Sequence, residues 1–574
     1  MASLARSSRL HCTRCFASTP SRSPVELHDV VVVGGGPAGL ALSAALASSE
    51  AITATHKVTL LEAGNLDSSR HWNPRPRELS NRVSSITSDN VAFLSRIGVW
   101  QHVEHARTRG IEEMQVWDGL SDARIEFVAP TTAASAASSS NQDLARPRTR
   151  VAMATLTENL NLQRAALKRI EETAKVEVVD RMKVESIVRD DEGGWPVVNV
   201  VNHDGSARRS LRARLLIGAD GANSPVKLYS DIETFGWAYD RQGVVSSLDL
   251  DPSSMGEGTT TAWQRFLPEG PVAFLPLSDT TASLVWSTTP AYATLFKALP
   301  RSALPHLINL AFSLPYAHLS EVLSSLRSRL DSNSLPTEDE LVSTLRDLHT
   351  SHLHASYNPD DPPAPLPPLV VSVQPGSTAS FPLRLSHTSS YLGLPRSSGG
   401  QDLRTVLVGD AAHTIHPLAG QGLNMGLSDA EALVRTLDQV ARTGGDLGSY
   451  LALGGYPRDR YPKNHLLLSA CDHLHSLYAA TNGPVVWARS TGLELVNEVS
   501  SVKHLLMGTA GGGQGTPGAK TKTTGSGAGA GGPWGLVASG IEGLTKAKEV
   551  VGFAASMVGG MVKKRATEFV VKGR

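Results

Sequence analysis

Four consecutive valines, residues 30–33, run directly into the glycine-rich stretch GGGPAG, residues 34–39. The stretch matches the G-x-G-x-x-G pattern, and the small apolar residues that follow it predict a buried helix. Gly34 allows a tight turn, Gly36 lets the backbone approach a pyrophosphate, and Gly39 permits close helix packing. A helix N-terminus placed in this way faces the bound anion. We therefore predict a dinucleotide-binding unit here, and not a membrane span, although residues 30–49 carry no charge.

An acidic residue stands where such a unit would contact a ribose. Residues 57–61 predict the second strand, and Glu62 follows it, about 23 residues after Gly39. A carboxylate in this position can accept hydrogen bonds from ribose hydroxyls. The pattern by itself leaves FAD and NAD equally open as the dinucleotide.

Two later apolar strands also end in an aspartate. The stretch ARLLIGADG reaches Asp220, and LRTVLVGD reaches Asp410. Open α/β sheets bind ligands at the carboxyl ends of their strands, so both aspartates are candidate ligand residues. Asp204 precedes a glycine as well, but it lies between a valine-rich and a basic segment and predicts an ordinary hairpin turn.

These motifs, in this order, resemble those of the flavoprotein aromatic hydroxylase family. The segments SNRVSSIT (80–87), GWAYDRQGVVSSL (236–248) and TAWQRFLPEGPVAFLPL (261–277) are similar, within that family, to the mitochondrial monooxygenases of ubiquinone biosynthesis. The resemblance covers roughly residues 27–500, with gaps, and implies FAD as the cofactor. Lys227 departs from the pattern, because the family usually has arginine at this position. The compact ammonium group of lysine therefore replaces the planar guanidinium group of arginine.

The resemblance also implies roles for individual residues. Asp410 would bind the ribityl chain, Arg82 would lie near the flavin, and residues 417–424 would hold the pyrimidine side of the ring. Backbone N–H groups at the start of the helix predicted near Gln421 would favour a reduced, anionic ring by about 0.3–1 kcal/mol. The complete set of predicted cofactor-binding residues is Gly34, Gly36, Gly39, Glu62, Arg82, Asp220, Asp410, Gly420, Gln421, Gly422 and Asn424.

No catalytic side chain is predicted, because the resemblance assigns the oxygen chemistry to the flavin. Arg82, His416 and Pro417 are predicted to shape the pocket. His413 and His416 flank the loop before the helix, but no third ligand stands at a suitable spacing, so we predict no metal site.

The activity implied by the resemblance is hydroxylation of the aromatic ring of a polyprenylated 4-hydroxybenzoate-type precursor of ubiquinone, through a flavin hydroperoxide. Molecular oxygen would be the second substrate and a ubiquinone-biosynthesis complex the partner. The resemblance implies ferredoxin and ferredoxin reductase as electron donors, and hydride from a nicotinamide, which related bacterial hydroxylases use, stays open as the alternative. Two alternatives remain open. One is an FAD-dependent reductase or dehydrogenase on the same scaffold, and the other is a scaffold subunit that binds FAD for stability.

Charge and composition limit the location and partners of the protein. The chain balances 54 basic against 54 acidic residues, which disfavours nucleic acid, and its three cysteines do not form a disulfide framework. Residues 1–25 contain four arginines and no acid, which predicts a mitochondrial presequence, with a disordered basic tail as the alternative. The presequence predicts a mitochondrial protein, and the resemblance implies a peripheral protein on the matrix face of the inner membrane.

The predicted fold class is α/β. A Rossmann-like FAD-binding domain built from discontinuous segments, residues 27–235 and 395–507, would carry an inserted antiparallel-sheet substrate domain, residues 236–394, and C-terminal helices. Trp263, Phe266 and Phe274 alternate with small or polar neighbours and predict sheet core. The other predicted segments are a mobile excursion (131–149), a helix (338–348), a proline-rich connector (358–369), a glycine-rich linker (508–533) and an apolar, basic tail (534–574) that would lie on a membrane surface or dock to a partner, disorder being the alternative.

Overall fold

The computed structural model describes residues 25–129, 152–191, 193–254, 260–356, 364–394, 402–417 and 420–498. All of these residues belong to one unit, Met1–Gln514. The predicted presequence, the excursion at 131–149, the linker and the tail lie outside the described residues.

The strands, in chain order, are β1 (Val25–Val33), β2 (Val58–Leu61), β3 (Val83–Thr87), β4 (Thr108–Ile111), β5 (Glu113–Asp118), β6 (Arg124–Val128), β7 (Ala154–Glu158), β8 (Val176–Val179), β9 (Met182–Arg189), β10 (Pro196–Asn202), β11 (Arg208–Gly218), β12 (Thr234–Leu250), β13 (Thr261–Leu267), β14 (Gly270–Pro276), β15 (Thr281–Thr288), β16 (Val370–Val373), β17 (Ala379–Thr388), β18 (Thr405–Leu407) and β19 (His413–Thr414). The α-helices are α1 (Pro37–Ser48), α2 (Glu50–Thr53), α3 (Asp67–Arg70), α4 (Ser88–Arg96), α5 (Asn159–Thr173), α6 (Pro225–Tyr229), α7 (Pro290–Ala298), α8 (Leu304–Ser313), α9 (Tyr316–Asp331), α10 (Glu338–Ser356), α11 (Gly422–Arg442), α12 (Tyr450–Leu453), α13 (Gly455–Ala479) and α14 (Gly483–Glu498).

The first sheet has the strand order β8-β2-β1-β11-β10-β9, and β18 pairs with β11. Strand β1 lies at its centre, parallel to both β2 and β11, and residues 30–33 are buried because neighbouring strands and helices cover them on all sides. Strand β18 is also parallel to β11, whereas β9 and β10 are antiparallel. The hairpin turn predicted around Asp204 is confirmed, since it joins the antiparallel strands β10 and β11.

The second sheet has nine strands in the order β19-β17-β12-β15-β14-β13-β5-β6, with β16 paired to β12. Two of its strands, β5 and β6, come from the segment 27–235, which is predicted as the first part of the FAD-binding domain. Strand β5 pairs with β13 in parallel, with Glu113 opposite Thr261, so the sheet is not purely antiparallel. The alternation of apolar and polar residues along a strand shows which face is buried, but it does not identify the neighbouring strand. The pairing of β5 with β13 could therefore not be predicted from the sequence.

Aromatic side chains form the core of the second sheet, as predicted. Trp263, Phe266 and Phe274 are all buried, and helices α7–α10 pack over the same sheet. The helix predicted at 338–348 is confirmed as α10, which continues to Ser356. In the proline-rich connector, residues 364–369 are described and form no regular structure.

A small third sheet, β3-β7-β4, and the helices α11–α14 complete the described chain. The predicted C-terminal helices are confirmed as far as Glu498. Helix α14 is held against β5 by the buried pair Arg489 and Asp118, whose Nε–Oδ2 distance is 2.8 Å. None of the helices in the described part of the chain has both the length and the apolar character needed to cross a bilayer.

Candidate functional site

The carboxyl ends of four neighbouring parallel strands bring the predicted motifs to one edge of the first sheet. Strands β1, β2, β11 and β18 end at residues 33, 61, 218 and 407, and each is followed at once by a predicted site residue or its turn. Backbone hydrogen bonds link the segments beyond the strand ends, from Gly34 N to Leu61 O at 2.8 Å and from Val408 N to Gly218 O at 2.9 Å. Gly34, Glu62, Asp220 and Asp410 therefore converge at the sheet edge where open α/β proteins bind ligands.

The three motif glycines occupy different environments. A Cβ on Gly34, whose φ is 113°, would lie 2.3 Å from Ala219 O, and one on Gly39 would lie 2.0 Å from Gly34 O. Both positions therefore require glycine for the packing of the chain itself. A Cβ on Gly36 would meet nothing within 4 Å, and no side chain caps the start of α1. The backbone at Gly36 and the first N–H groups of α1 are thus open to an anionic group.

Glu62 supports the glycine turn directly. Its Oε2 accepts a hydrogen bond from Gly35 N and its Oε1 accepts one from Gly64 N, both at 2.5 Å. From α5, Gln163 Nε2 donates to Gly35 O at 3.3 Å, a contact that the sequence motif did not indicate. The ribose contact predicted for Glu62 stays a prediction, and the structure adds a role in holding the turn.

Asp220 is a buried carboxylate with unsatisfied oxygens. Neither oxygen has a hydrogen bond of normal geometry within the described residues. Burial raises the pKa of Asp220 to about 6, although the nearby Ser224 hydroxyl, the Val226 N–H and the Lys227 charge act in the opposite direction. Lys227 Nζ itself donates to Ala222 O at 2.8 Å. A buried carboxylate of this kind is suited to accept hydrogen bonds from a bound polar group.

Asp410 lies in the turn that follows β18. The turn begins at Gly409 with a φ of 61°, and a Cβ there would lie 3.6 Å from Gly426 Cα and 3.7 Å from Ala38 Cβ. The turn therefore packs against the beginnings of α1 and α11. The Asp410 side chain is exposed at the surface of the site, but the protein around it displaces enough water to raise its pKa, an effect that His413 opposes.

A fully buried carboxylate, Asp429 of α11, anchors this turn. Its Oδ2 accepts a hydrogen bond from Gly409 N at 3.2 Å and lies 2.6 Å from His413 Nε2, while its Oδ1 accepts bonds from Arg460 Nε and Asn464 Nδ2, both at 2.9 Å. Burial by itself would raise the pKa of Asp429, but these partners lower it to about 2. Sequence reasoning missed this role, since nothing in the spacing of Asp429 and Arg460 marks them as a pair.

The predicted ring-binding segment lies where α11 meets β3. Helix α11 begins at Gly422 with Gln421 as its N-cap residue and has no side-chain cap hydrogen bond at this end. Asn424 is buried, accepts a hydrogen bond from Thr87 N at 3.0 Å and donates one to Ser85 O at 2.6 Å. Its side chain thus joins α11 to β3, and the predicted cofactor contact of Asn424 stays a prediction.

The remaining predicted residues surround this helix start. Gly420, with a φ of 59°, is exposed, and a Cβ there would lie 3.6 Å from Ser85 Cβ. Arg82 is exposed just before β3, and its backbone N–H donates to Ser80 Oγ at 3.3 Å. Pro417 is half-buried and follows His416 directly.

His416 connects the site to the second sheet. Its ring is buried and lies 5.1 Å from the ring of Tyr239 in β12, at a local irregularity where the register of β12 against β17 shifts. Burial, together with the charges of His475 and Arg241, lowers the pKa of His416 to about 3, so the imidazole is neutral at physiological pH. His416 thus contacts Tyr239, which begins the block, residues 239–277, that the resemblance assigns to the pocket wall. It also contacts His475, which the sequence did not single out.

Comparison with known proteins identifies the family of this chain. The sequence matches the FAD binding domain family over residues 28–295 and 399–452. It is 35% identical over 510 residues to the mitochondrial ubiquinone biosynthesis monooxygenase COQ6 of Saccharomyces cerevisiae, covering 87% of this chain and 96% of the yeast protein. It is 34% identical over 488 residues to the Homo sapiens protein of the same name, covering 84% of this chain and 92% of that protein.

A solved structure supports the fold. The p-nitrophenol 4-monooxygenase PnpA of Pseudomonas putida DLL-E4 matches with a TM-score of 0.55 at 18% identity, covering 84% of this chain and 97% of that one. The two chains therefore share the overall arrangement of sheets and helices. The family match, the relatives and the convergent strand ends lead to one conclusion: this chain belongs to the FAD-dependent monooxygenase family that includes the mitochondrial ubiquinone biosynthesis monooxygenases.

Proposed function

We propose that this protein hydroxylates the aromatic ring of a polyprenylated 4-hydroxybenzoate-type precursor in ubiquinone biosynthesis, using FAD and molecular oxygen. The observation that carries the proposal is the convergence of four parallel strand ends, which brings Gly36, Glu62, Asp220 and Asp410 to one edge of the first sheet. The names of its relatives support the assignment to ubiquinone biosynthesis.

The residues at this edge fit FAD. Gly36 and the uncapped start of α1 offer open backbone to a pyrophosphate, and Glu62, just after β2, would accept a hydrogen bond from a ribose hydroxyl. Asp410 presents an exposed carboxylate for the ribityl hydroxyls, and the start of α11 offers backbone N–H groups to an electron-rich ring. FAD, when bound and reduced, would supply the oxygen activation that no amino acid side chain can supply.

The contribution of the chain itself is to bind, to orient and to exclude water. The buried, neutral His416 and the half-buried ring of Tyr239 form an uncharged aromatic wall beside the segment predicted to hold the flavin. Such a wall lowers the local water content, which favours transfer of oxygen to an organic substrate over loss as hydrogen peroxide. An aromatic ring held against this wall is oriented by the packing of the two sheets.

The electron donor and the location belong to the same proposal. We assign electron supply to ferredoxin and its reductase, acting on a peripheral protein of a ubiquinone-biosynthesis complex at the matrix face of the mitochondrial inner membrane. The arginine-rich, acid-free residues 1–25 and the word mitochondrial in the relatives' names support this location. Electron transfer from purified ferredoxin to the bound flavin, followed by its absorbance, tests the donor.

The decisive experiment for the hydroxylase activity is a single turnover. The purified protein is loaded with FAD, reduced without oxygen and mixed with oxygen and a short-chain prenylated 4-hydroxybenzoate, and the hydroxylated product is measured by mass spectrometry. We expect close to one product per flavin. Oxygen consumption without product would favour the reductase or dehydrogenase alternative, and full product formation in cells after loss of flavin binding would favour the scaffold.

Asp410→Ala provides the matching site variant. We expect it to lower FAD affinity at least about tenfold, because a carboxylate acceptor is lost from the site. Asp204→Ala is its control, since Asp204 is another aspartate beside a glycine but lies in the exposed turn between β10 and β11. Equal FAD affinity in the two variants would contradict the assignment of Asp410.

A further inference from the structure

Three aromatic rings from separate parts of the chain meet beside the predicted flavin segment. The Tyr239 ring of β12 lies 5.1 Å from the ring of His416 and 4.6 Å from that of His475 in α13. The two histidine rings are 5.1 Å apart. Because His416 immediately precedes the loop that leads into α11, this cluster lies at the junction of the first sheet, the second sheet and the C-terminal helices.

Two members of the cluster have hydrogen-bond partners that fix their orientation. Tyr239 OH donates to Asp472 Oδ1 at 2.9 Å, and His416 Nε2 lies 3.4 Å from Ser287 Oγ. His475 differs, because within the described part of the chain neither of its ring nitrogens takes part in a hydrogen bond of normal geometry. Its side chain is only half-buried, so one of these nitrogens can still meet a ligand.

The charged groups that face His475 favour its neutral form. Burial and the positive charge of Arg241 lower the pKa of His475, and Asp472 acts in the opposite direction. Asp472 already accepts the Tyr239 hydroxyl, and Arg241 donates to Glu269 O at 2.7 Å. A neutral imidazole carries one nitrogen that can accept a hydrogen bond, which is the group needed to bind a phenol hydroxyl.

We propose that His475 accepts the hydrogen bond of the substrate's phenol hydroxyl, while the rings of Tyr239 and His416 confine the substrate ring. This inference rests on the proposed function and adds to it the residue that recognises the phenol. The half-buried imidazole of His475 lies beside both rings and has an acceptor nitrogen that a phenol hydroxyl can reach. This hydrogen bond would hold the substrate's aromatic ring in one orientation relative to the predicted flavin segment. The orientation determines which ring carbon receives oxygen.

The test compares His475→Phe with His475→Gln in the single-turnover assay described above. Phenylalanine keeps a planar ring but removes the acceptor, so we expect the product formed per oxygen consumed to fall at least about tenfold. Glutamine retains an acceptor oxygen and should restore most of that yield. FAD affinity should be unchanged in both variants, since the inference concerns only the phenol.

His473→Phe is the matched control. His473 lies in the same helix, is exposed, and its Nδ1 lies 2.6 Å from Ser469 O, so its replacement should leave the product yield unchanged. Thermal melting checks that each variant is folded, and His475→Leu replaces His475→Phe if the latter is not. A rotated substrate would also give a second ring isomer, which mass spectrometry with chromatography separates.

The outcomes separate this inference from the proposed function. A folded His475→Phe or His475→Leu variant with wild-type product per oxygen would overturn the role of His475 alone. A loss that glutamine does not restore at all would likewise contradict a role as hydrogen-bond acceptor. A wild-type protein that binds FAD but forms no hydroxylated product would overturn the proposed function together with the inference.

Discussion

Gly36 and Gly39 lie three residues apart in one motif, and the structure predicts opposite consequences for placing alanine at each. At Gly36 the backbone is extended, with φ of −69° and ψ of 174°, and a Cβ would meet nothing within 4 Å. Gly36→Ala should therefore leave the stability of the FAD-free protein unchanged, or raise it by about 0.4–1 kcal/mol through the unfolded state. At Gly39 a Cβ would lie 2.0 Å from Gly34 O, so the backbone must move.

The cost at Gly39 follows from two opposing terms. Alanine in a helix gains about 1 kcal/mol over glycine, whereas overpacking against a backbone oxygen costs about 3 kcal/mol at the upper end of the usual range. We expect Gly39→Ala to lower the free energy of unfolding of the FAD-free protein by about 2 kcal/mol. Both variants should bind FAD at least about tenfold more weakly. Gly36→Ala places a methyl group where the pyrophosphate approaches, and Gly39→Ala forces the backbone of the same turn to move.

Two measurements test the expected stabilities and FAD affinities of the two variants. Urea unfolding of the FAD-free proteins gives the free energies, and quenching of flavin fluorescence gives the affinities. A Gly36→Ala variant that binds FAD as tightly as the wild type would refute the placement of the pyrophosphate at Gly36. Equal destabilisation by the two substitutions would refute the distinction between an open and a packed glycine.

Two further predictions concern stability. Burial lowers the pKa of His387 from 6.5 to about 4, so on acidification the unfolded chain binds this proton first; the stability that His387 contributes above about pH 6.5 is lost as the pH falls toward about 4. Between about pH 8 and pH 5 the free energy of unfolding that His387 contributes falls by about 2 kcal/mol. Urea unfolding at both pH values should show this loss in the wild type and not in His387→Phe. The exposed His354→Phe is the control and should keep the loss. Arg489→Met leaves the Asp118 carboxylate buried without its bidentate partner and should cost about 3–5 kcal/mol. Adding Asp118→Leu to Arg489→Met should recover part of this loss, and no recovery would contradict the explanation.

The nucleotide-binding half could be predicted from the sequence because its signals are local. A strand, a glycine turn and a helix are adjacent in the chain at residues 30–48, and strand-end aspartates such as Asp220 fall at the same edge wherever the strands are parallel. The second sheet was predicted less well. The pairing of β5 with β13 joins residues separated by well over a hundred positions, and no local pattern encodes it.

Side-chain direction also limited the prediction of the site. Asn424 lies in the motif, but its hydrogen bonds go to Ser85 and Thr87 of the adjoining strand. No motif marks Asp429 or His475. The contacts of Asp429, and the contact proposed for His475, depend on which helix face meets the loop between β18 and α11. Such contacts are set by tertiary packing, which the sequence pattern of a helix only restricts to a face.

The short segment from Thr405 to His416 explains how the two halves of the site keep their relative position. Its first strand, β18, pairs with β11 of the first sheet, and its second, β19, pairs with β17 of the second sheet. Asp410 and His416 therefore belong to one continuous crossing between the sheets, and the buried Asp429 ties that crossing to α11 at both Gly409 and His413. The predicted cofactor carboxylate, Asp410, and the predicted pocket residue, His416, are thus held by the same few residues. We therefore expect a change that loosens Asp429 to disturb flavin binding and substrate orientation together.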